Sequence, residues 1–180
     1  MGDVTLQTPR LYLRSWCESD AEVLYRWASD PQVGPAAGWL PHTSVENSRE
    51  IICAVLSAPD TFALVLKDTG SPVGSVGVFP TDLPAASGEP EIGYWIARPL
   101  WGQGLVPEAV EELLCWQFAQ KSAVRVWCAH FPGNDKSRRV IEKCGFTYVC
   151  TGPEQLWPDG SRRASLYYAI TRQEWEVRHG

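Results

Sequence analysis

No run of about 18 apolar residues occurs anywhere in the chain, so no membrane-spanning helix is expected. Cys-x-x-Cys pairs are also missing. The six cysteines, Cys17, Cys53, Cys115, Cys128, Cys144 and Cys150, stand at irregular intervals that match no zinc-ligand spacing, so no metal site is expected. Several lie in apolar stretches such as Ile51-Ile52-Cys53-Ala54-Val55-Leu56, as expected of a reduced, cytoplasmic chain that uses cysteine as a small core residue. Basic residues are in deficit: Lys+Arg 16 against Asp+Glu 21 leaves a net charge of −5. That argues against a general nucleic-acid binder and suits a cationic or neutral small substrate. Gly-Lys-Ser/Thr is absent, which removes a P-loop. The opening Met1-Gly2-Asp3-Val4 has no basic stretch leading into an apolar one, so no leader is expected. Repeats, low-complexity tracts and Gly/Ser linkers are lacking too, and one domain over residues 1–180 is expected. What is present is 44% hydrophobic and 21% charged residues over 180 positions, enough to fold around a core without disulfide or metal staples.

Along the chain the signals alternate. Thr5 to Trp16 reads as a strand, with Leu11 and Leu13 on one face and Tyr12 and Arg14 on the other. Ser19-Asp20 caps a helix with Ala21, Leu24, Trp27 and Ala28 on its apolar side, ending at Asp30-Pro31. Residues 31–42 read as a turn-rich loop of the kind that carries binding residues. A second helix starts at Thr43 or Ser44 and runs to about Ser57. Strands follow at Thr61–Lys67, Pro72–Phe79 and Glu89–Ala97, the first two as a hairpin, with Pro80–Gly88 as an exposed connection. Leu105 to Gln120 is the clearest helix, with apolar rows Leu105-Ala109-Leu113-Trp116 and Val106-Val110-Leu114-Phe118. Ala123–His130 reads as a buried strand and Asp135–Lys143 as a polar helix stopped by Gly145. Phe146–Thr151 and Ala164–Thr171 close the chain as a strand pair around the turn Trp157-Pro158-Asp159-Gly160. This order describes an α/β domain with a mixed, mostly antiparallel sheet, helices on both faces and a crossover near the glycine turn.

The informative unit is Glu91-Ile92-Gly93-Tyr94-Trp95-Ile96-Ala97-Arg98-Pro99-Leu100-Trp101-Gly102-Gln103-Gly104-Leu105-Val106-Pro107-Glu108-Ala109, a strand that runs through a glycine turn into a helix. Glycines let backbone approach a ligand closely, and the open N–H groups of a helix start favour an anion. A dinucleotide fingerprint fails because Pro107 stands where its third glycine belongs. On spacing alone, Gly102-x-Gly104 is equally a plain tight turn.

The segment resembles the acyl-CoA-binding motif of the GNAT superfamily of N-acetyltransferases, Arg/Gln-x-x-Gly-x-Gly/Ala, with Trp101 and Val106 departing from the pattern. Three further stretches resemble the branch that acetylates ribosomal-protein N-termini. They are Thr8-Pro9-Arg10-Leu11-x-Leu13-Arg14 with Asp20-Ala21 and Asp30-Pro31, then Asn134-x-x-Ser137-x-Arg139-Val140-x-Glu142-Lys143-Cys144-Gly145-Phe146, then Tyr168-Ala169-Ile170-Thr171 with Glu174-Trp175. Together they span nearly the whole chain. The resemblance implies a GNAT-like fold and direct transfer of an acetyl group from acetyl-CoA to a primary amine, either a small molecule or a protein N-terminus, in a ternary complex. It places coenzyme contacts at Trp95, Ile96, Ala97, Trp101, Gly102, Gln103, Gly104, Leu105, Val106, Asn134 and Ser137, mostly through backbone amides.

Such a reaction needs a neutral amine, a stabilised carbonyl oxygen and a proton for the departing thiolate. Glu91, at the start of the strand leading to the loop, is the candidate base, and a surface carboxylate is its bland alternative. His130 is the alternate base. Many relatives protonate the thiolate with a tyrosine four residues before the Gly-Phe pair; Ile141 stands there, so Ser137 is the candidate acid, with water or Tyr148 as substitutes. Asn134 and Ser137 equally suit a helix N-terminal cap. At most one of Arg138 and Arg139 is expected to reach the coenzyme phosphates. The loop Gly38-Trp39-Leu40-Pro41-His42 and the Gly152–Arg163 hairpin are expected to line the acceptor pocket. A non-catalytic acyl-CoA-binding module with the same fold is the competing reading, supported by the departures at Trp101, Val106 and Ile141. Oligomeric state is not readable from the sequence, although exposed tryptophans would favour a homodimer.

Overall fold

The computed structural model describes residues 5–180; the Met1–Val4 segment that bears on a leader lies outside them. The described chain forms two compact units, one reaching to Gly77 and taking up Tyr94–Ala109, the other comprising Val78–Gly93 and Val110–Gly180.

In the first unit, β1 (Leu6–Gln7) and β2 (Leu11–Arg14) form an antiparallel pair where a single strand was expected. Thr8 decides this. Its amide donates to the Leu11 carbonyl at 2.9 Å and its hydroxyl accepts the Leu11 amide at 3.0 Å, closing a turn over Pro9. Leu11 and Leu13 are buried and Tyr12 is exposed, as alternation requires. A short 3₁₀ turn (Glu18–Asp20) precedes α1 (Ala21–Ala28), whose buried side carries Ala21, Leu24 and Ala28, with Trp27 only partly covered. Asp20 does not cap this helix. Its carboxylate accepts the Cys17 amide at 3.0 Å and both Arg14 terminal nitrogens at 2.7 and 2.9 Å, so it closes the preceding turn instead.

The loop after Asp30-Pro31 contains one helical turn, α2 (Gly34–Ala37), which the sequence reading missed. A side chain at Gly34 would meet the Trp39 ring at 2.6 Å, so glycine is what lets that tryptophan fold back on the turn. The next helix, α3 (Val45–Ile51), begins where Ser44 Oγ accepts the Asn47 amide at 2.9 Å, and a π-helical turn (Ile52–Leu56) carries it to Ser57. Strands β3 (Thr61–Leu66) and β4 (Pro72–Pro80) form the expected hairpin, with a bulge between Leu64 and Val65, and β3 also pairs antiparallel with β2.

Strand β5 (Pro90–Ile96) and helix α4 (Leu105–Ala119) each run through parts of both units. Both apolar rows of α4 are buried at every expected position. In the second unit the Pro80–Gly88 connection is not simply exposed: Thr81, Leu83 and Ala86 are buried, and Leu83 and Ala86 pack with Trp127, Tyr167 and Ala169. There β5 pairs in parallel with β6 (Arg125–His130), the arrangement that an intervening helix such as α4 permits. The polar helix α5 (Asp135–Lys143) ends as expected, with Gly145 at φ +83. Strand β7 (Thr147–Thr151) is followed by a small hairpin of β8 (Gln155–Leu156) and β9 (Arg162–Arg163). Strand β10 (Leu166–Thr171) then pairs antiparallel with both β6 and β7. A last helix, α6 (Arg172–His179), was not anticipated.

The α/β class and the mixed, mostly antiparallel pairing hold. No helix among the described residues is long and apolar enough to cross a membrane, and no described His/Cys/Asp/Glu group could hold a metal ion. Of the nine tryptophans, Trp16, Trp116 and Trp127 are buried and the other six are partly covered.

Candidate functional site

The glycine loop lies in the first unit. Gly102 and Gly104 adopt φ of +78 and +77, a region costly for residues with a Cβ, and the Cβ direction of Gly102 opens onto no protein atom within 4 Å. Helix α4 starts at once. Its first bond back is from the Glu108 amide to the Gly104 carbonyl at 3.3 Å, which leaves the Leu105 and Val106 amides ahead of the intrahelical ladder. Pro107 has no amide to lose. A backbone cradle of this kind fits the phosphates of a coenzyme.

Two of the residues expected to touch the coenzyme also make hydrogen bonds within the fold. The Gln103 amide turns onto the Leu100 carbonyl at 3.4 Å, and its side-chain amide donates to the Pro99 carbonyl at 3.1 Å, so Gln103 braces its own loop. The Ala97 amide is already given to the Val73 carbonyl at 2.8 Å. Trp101 also points inward, its Nε1 donating to the Ile96 carbonyl at 2.9 Å and fixing the loop to the end of β5. Sequence reading missed one anchor altogether. Glu108 accepts from the Thr8 hydroxyl, from the Arg10 amide at 2.8 Å and from Arg10 Nε at 2.7 Å. Burial alone would raise its pKa, but these donors hold the carboxyl below its ordinary value.

Trp95 and Ile96 end β5. Trp95 is partly exposed and lies in an aromatic group with Trp16 (6.4 Å between ring centroids) and Trp39 (5.6 Å). Trp39 also meets His42 at 5.3 Å, and His42 Nδ1 is 2.8 Å from Ser48 Oγ. Burial lowers the His42 pKa, favouring the neutral ring. The loop expected to line an acceptor pocket is thus tied to Trp95 by ring contacts, with Leu40 left exposed.

In the second unit Glu91 is not a surface carboxylate. It is buried, with β5–β6 pairing registered at Glu91↔Trp127 and Ile92↔Cys128 and at no later pair. Thr81 donates to its carboxylate, while Oε2 has no hydrogen-bond partner among the described residues. Its pKa is raised above the ordinary glutamate value, first by burial and further by the nearby Asp82, against the Thr81 hydrogen bond. Asp82 itself receives the Tyr167 hydroxyl at 2.8 Å and Gln155 Nε2 at 2.9 Å, and so fastens the β8–β9 hairpin beside this group. Burial, then the Asp82 contact, raises the Tyr167 pKa as well. The Thr-Asp pair at 81–82 was legible only as part of a link.

His130 is buried, its Nδ1 2.8 Å from the Phe131 carbonyl and its Nε2 3.3 Å from the Tyr168 hydroxyl. Asn134 caps α5, its Oδ1 accepting the Ser137 amide at 3.2 Å. Ile141 is buried and Tyr148 is exposed with its hydroxyl 2.9 Å from Thr151 Oγ1. Arg138 pairs with Asp135 at 3.4 Å on its own helix. The hairpin carries Trp157 edge-on to Phe131 at 4.5 Å and exposes Leu156.

Comparison with known proteins agrees with these features. The family model described as an acetyltransferase (GNAT) domain matches residues 10–147. An uncharacterized N-acetyltransferase, p20, from Bacillus licheniformis is 31% identical over 147 residues, covering 79% of this chain and 82% of its own. Among solved structures, a GNAT-family acetyltransferase from Bacillus anthracis superposes with a TM-score of 0.81 at 22% identity, over 94% of this chain and 99% of its own. A ribosomal-protein-S5-alanine acetyltransferase from Vibrio fischeri does so with a TM-score of 0.74 at 21% identity, over 96% and 99%.

Proposed function

Because the chain belongs to the GNAT acetyltransferases and is an acetyl-CoA-dependent N-acetyltransferase, we propose that Glu91 is its general base and that residues 102–106 hold the coenzyme phosphates. The reading treats residues 1–180 as one catalytic domain. Gly102, Gly104, Leu105 and Val106 bind through backbone, while Trp101 and Gln103 keep the loop in shape. The amides of Trp95 and Ile96 are assigned to the thioester and pantetheine arm; Ala97 is left out because its amide is engaged.

Bound acetyl-CoA supplies the acetyl carbonyl that the amine attacks. Glu91 takes a proton from the incoming ammonium, directly or through one water, so that the nitrogen lone pair is free to form the amide bond. As the carbon–sulfur bond breaks, the Ser137 hydroxyl gives a proton to the sulfur. The second proton that the attacking nitrogen sheds on becoming an amide passes to solvent, from which Ser137 is reprotonated. Asn134 holds Ser137 in place through the helix cap. The acceptor is a primary amine, either a small-molecule amine or a protein N-terminal α-amine. The act named for the Vibrio fischeri protein supports the second.

The observation that carries this reading is a buried Glu91 carboxylate with an unpartnered oxygen. A group with a raised pKa is a better proton acceptor once ionised. The rate should therefore climb as pH rises through the elevated Glu91 pKa. Glu91→Gln should lower turnover by about 10²-fold or more, lose that limb of the pH profile and leave CoA affinity unchanged. An unaltered rate at saturating amine would remove Glu91 from the role. CoA release over a panel of N-terminal peptides and small amines identifies the acceptor.

A further inference from the structure

Phosphate-binding loops commonly add a cationic side chain to their backbone amides, and the head of this loop offers only Trp101, turned inward onto the Ile96 carbonyl. A cation reaches the loop from elsewhere. Arg10, in the turn between β1 and β2, places Nη1 3.0 Å from the Gln103 carbonyl, and a Cβ added to Gly104 would stand 3.6 Å from its Nη2. Nε is held by Glu108 at 2.7 Å, which fixes the plane of the guanidinium. Nη2 has no hydrogen-bond partner among the described residues, and the side chain is 48% exposed. An arginine whose other donors are committed has lost most of its rotamer freedom, so little further order is needed for Nη2 to bind an anion.

We infer that Arg10 is a phosphate-binding residue of the coenzyme site, presenting Nη2 to the CoA pyrophosphate beside Gly104 in place of the basic residue that Trp101 displaces. The inference rests on the assignment of residues 102–106 to the coenzyme. Arg10 has a second effect at the same place. Glu108 puts a carboxylate in the first turn of α4, where it would repel a phosphate, and Arg10 neutralises it.

Titration calorimetry with CoA and with pantetheine, which has no phosphate, tests this without an acceptor. Arg10→Gln should weaken CoA about tenfold, the size of a lost charge-assisted hydrogen bond, while pantetheine binding stays at its wild-type value. The salt dependence of CoA binding should become shallower in the same variant. Glu108→Gln loosens the brace but keeps the arginine charge and removes a carboxylate that repels the phosphate, so any loss of CoA affinity should be smaller than in Arg10→Gln. Should Arg10→Gln fail to fold, Arg10→Lys keeps the charge opposite Glu108 and should weaken CoA about threefold by losing the planar fork. Equal losses for CoA and pantetheine, unchanged CoA affinity in the arginine variants, or a loss in Glu108→Gln as large as in Arg10→Gln would each overturn the inference. Wild-type protein that binds no CoA would instead remove the coenzyme site itself.

Discussion

Glu91 is useful to catalysis for the same reason that it burdens the fold. Its pKa lies above the ordinary glutamate value in the folded chain, mainly through burial. Between that ordinary value and the elevated one, the unfolded chain has lost the proton and the folded chain keeps it. Stability is therefore undiminished below the unfolded pKa and falls as pH rises through the folded one. Glutamine has nearly the same shape, can accept the Thr81 hydrogen bond and never ionises. Glu91→Gln should thus melt above wild type at pH 7–8, and the two curves should converge as pH falls through the ordinary carboxylate range. A variant that melts below wild type at pH 8 would mean that the ionised carboxylate has a stabilising partner.

At the scale of elements, helix ends show how local sequence and tertiary structure divide the work. Helix α6 starts at a capping box: Thr171 Oγ1 accepts the Glu174 amide at 3.3 Å, and Glu174 Oε2 accepts the Thr171 amide at 2.8 Å. The helix is short and none of its residues is buried, although Trp175 touches Phe118 at 5.6 Å between ring centroids. A helix with so little buried surface depends on its cap. Thr171→Ala should cost ~1 kcal/mol in urea unfolding and speed amide exchange across α6. Thr171→Ser should restore both. Helix α4 is the opposite case, with two buried apolar rows and its first turn tied to Thr8 and Arg10 through Glu108.

Over the whole molecule, the six cysteines report on folding because none forms a disulfide. Cys17, Cys53 and Cys115 are exposed, Cys150 is partly covered, and Cys128 and Cys144 are buried. The expectation of cysteine as a core residue therefore holds for two of them and fails for the three at the surface. Burial pushes the Cys144 thiol up to about 12. At pH 8 that leaves about one thiolate in 10⁴, and the thiolate is the species that alkylates. Iodoacetamide should label Cys17, Cys53 and Cys115 in native protein and reach Cys128 and Cys144 only with global unfolding, as read by peptide mass. Rapid native labelling of Cys144 would contradict the burial described. Reductant should leave the melting temperature unchanged.

Local chemistry alone determined much of this protein. Patterned apolar rows defined α4, flanking turn residues defined the β3–β4 hairpin, and Asp135–Lys143 with Gly145 bounded α5, because each signal lies within one element. The Gly102-Gln103-Gly104 turn was legible for the same reason: positive φ and an approachable backbone are properties of the glycines themselves. Tertiary structure decided the rest. The environment of Glu91 is assembled from Thr81, Asp82 and Tyr167, contributed by separate stretches of chain. Arg10 reaches a carboxylate 98 residues away. Hydrogen bonds and desolvation act over a few ångströms of space regardless of separation along the chain, so the residue types could be read in order but the charges that they feel could not.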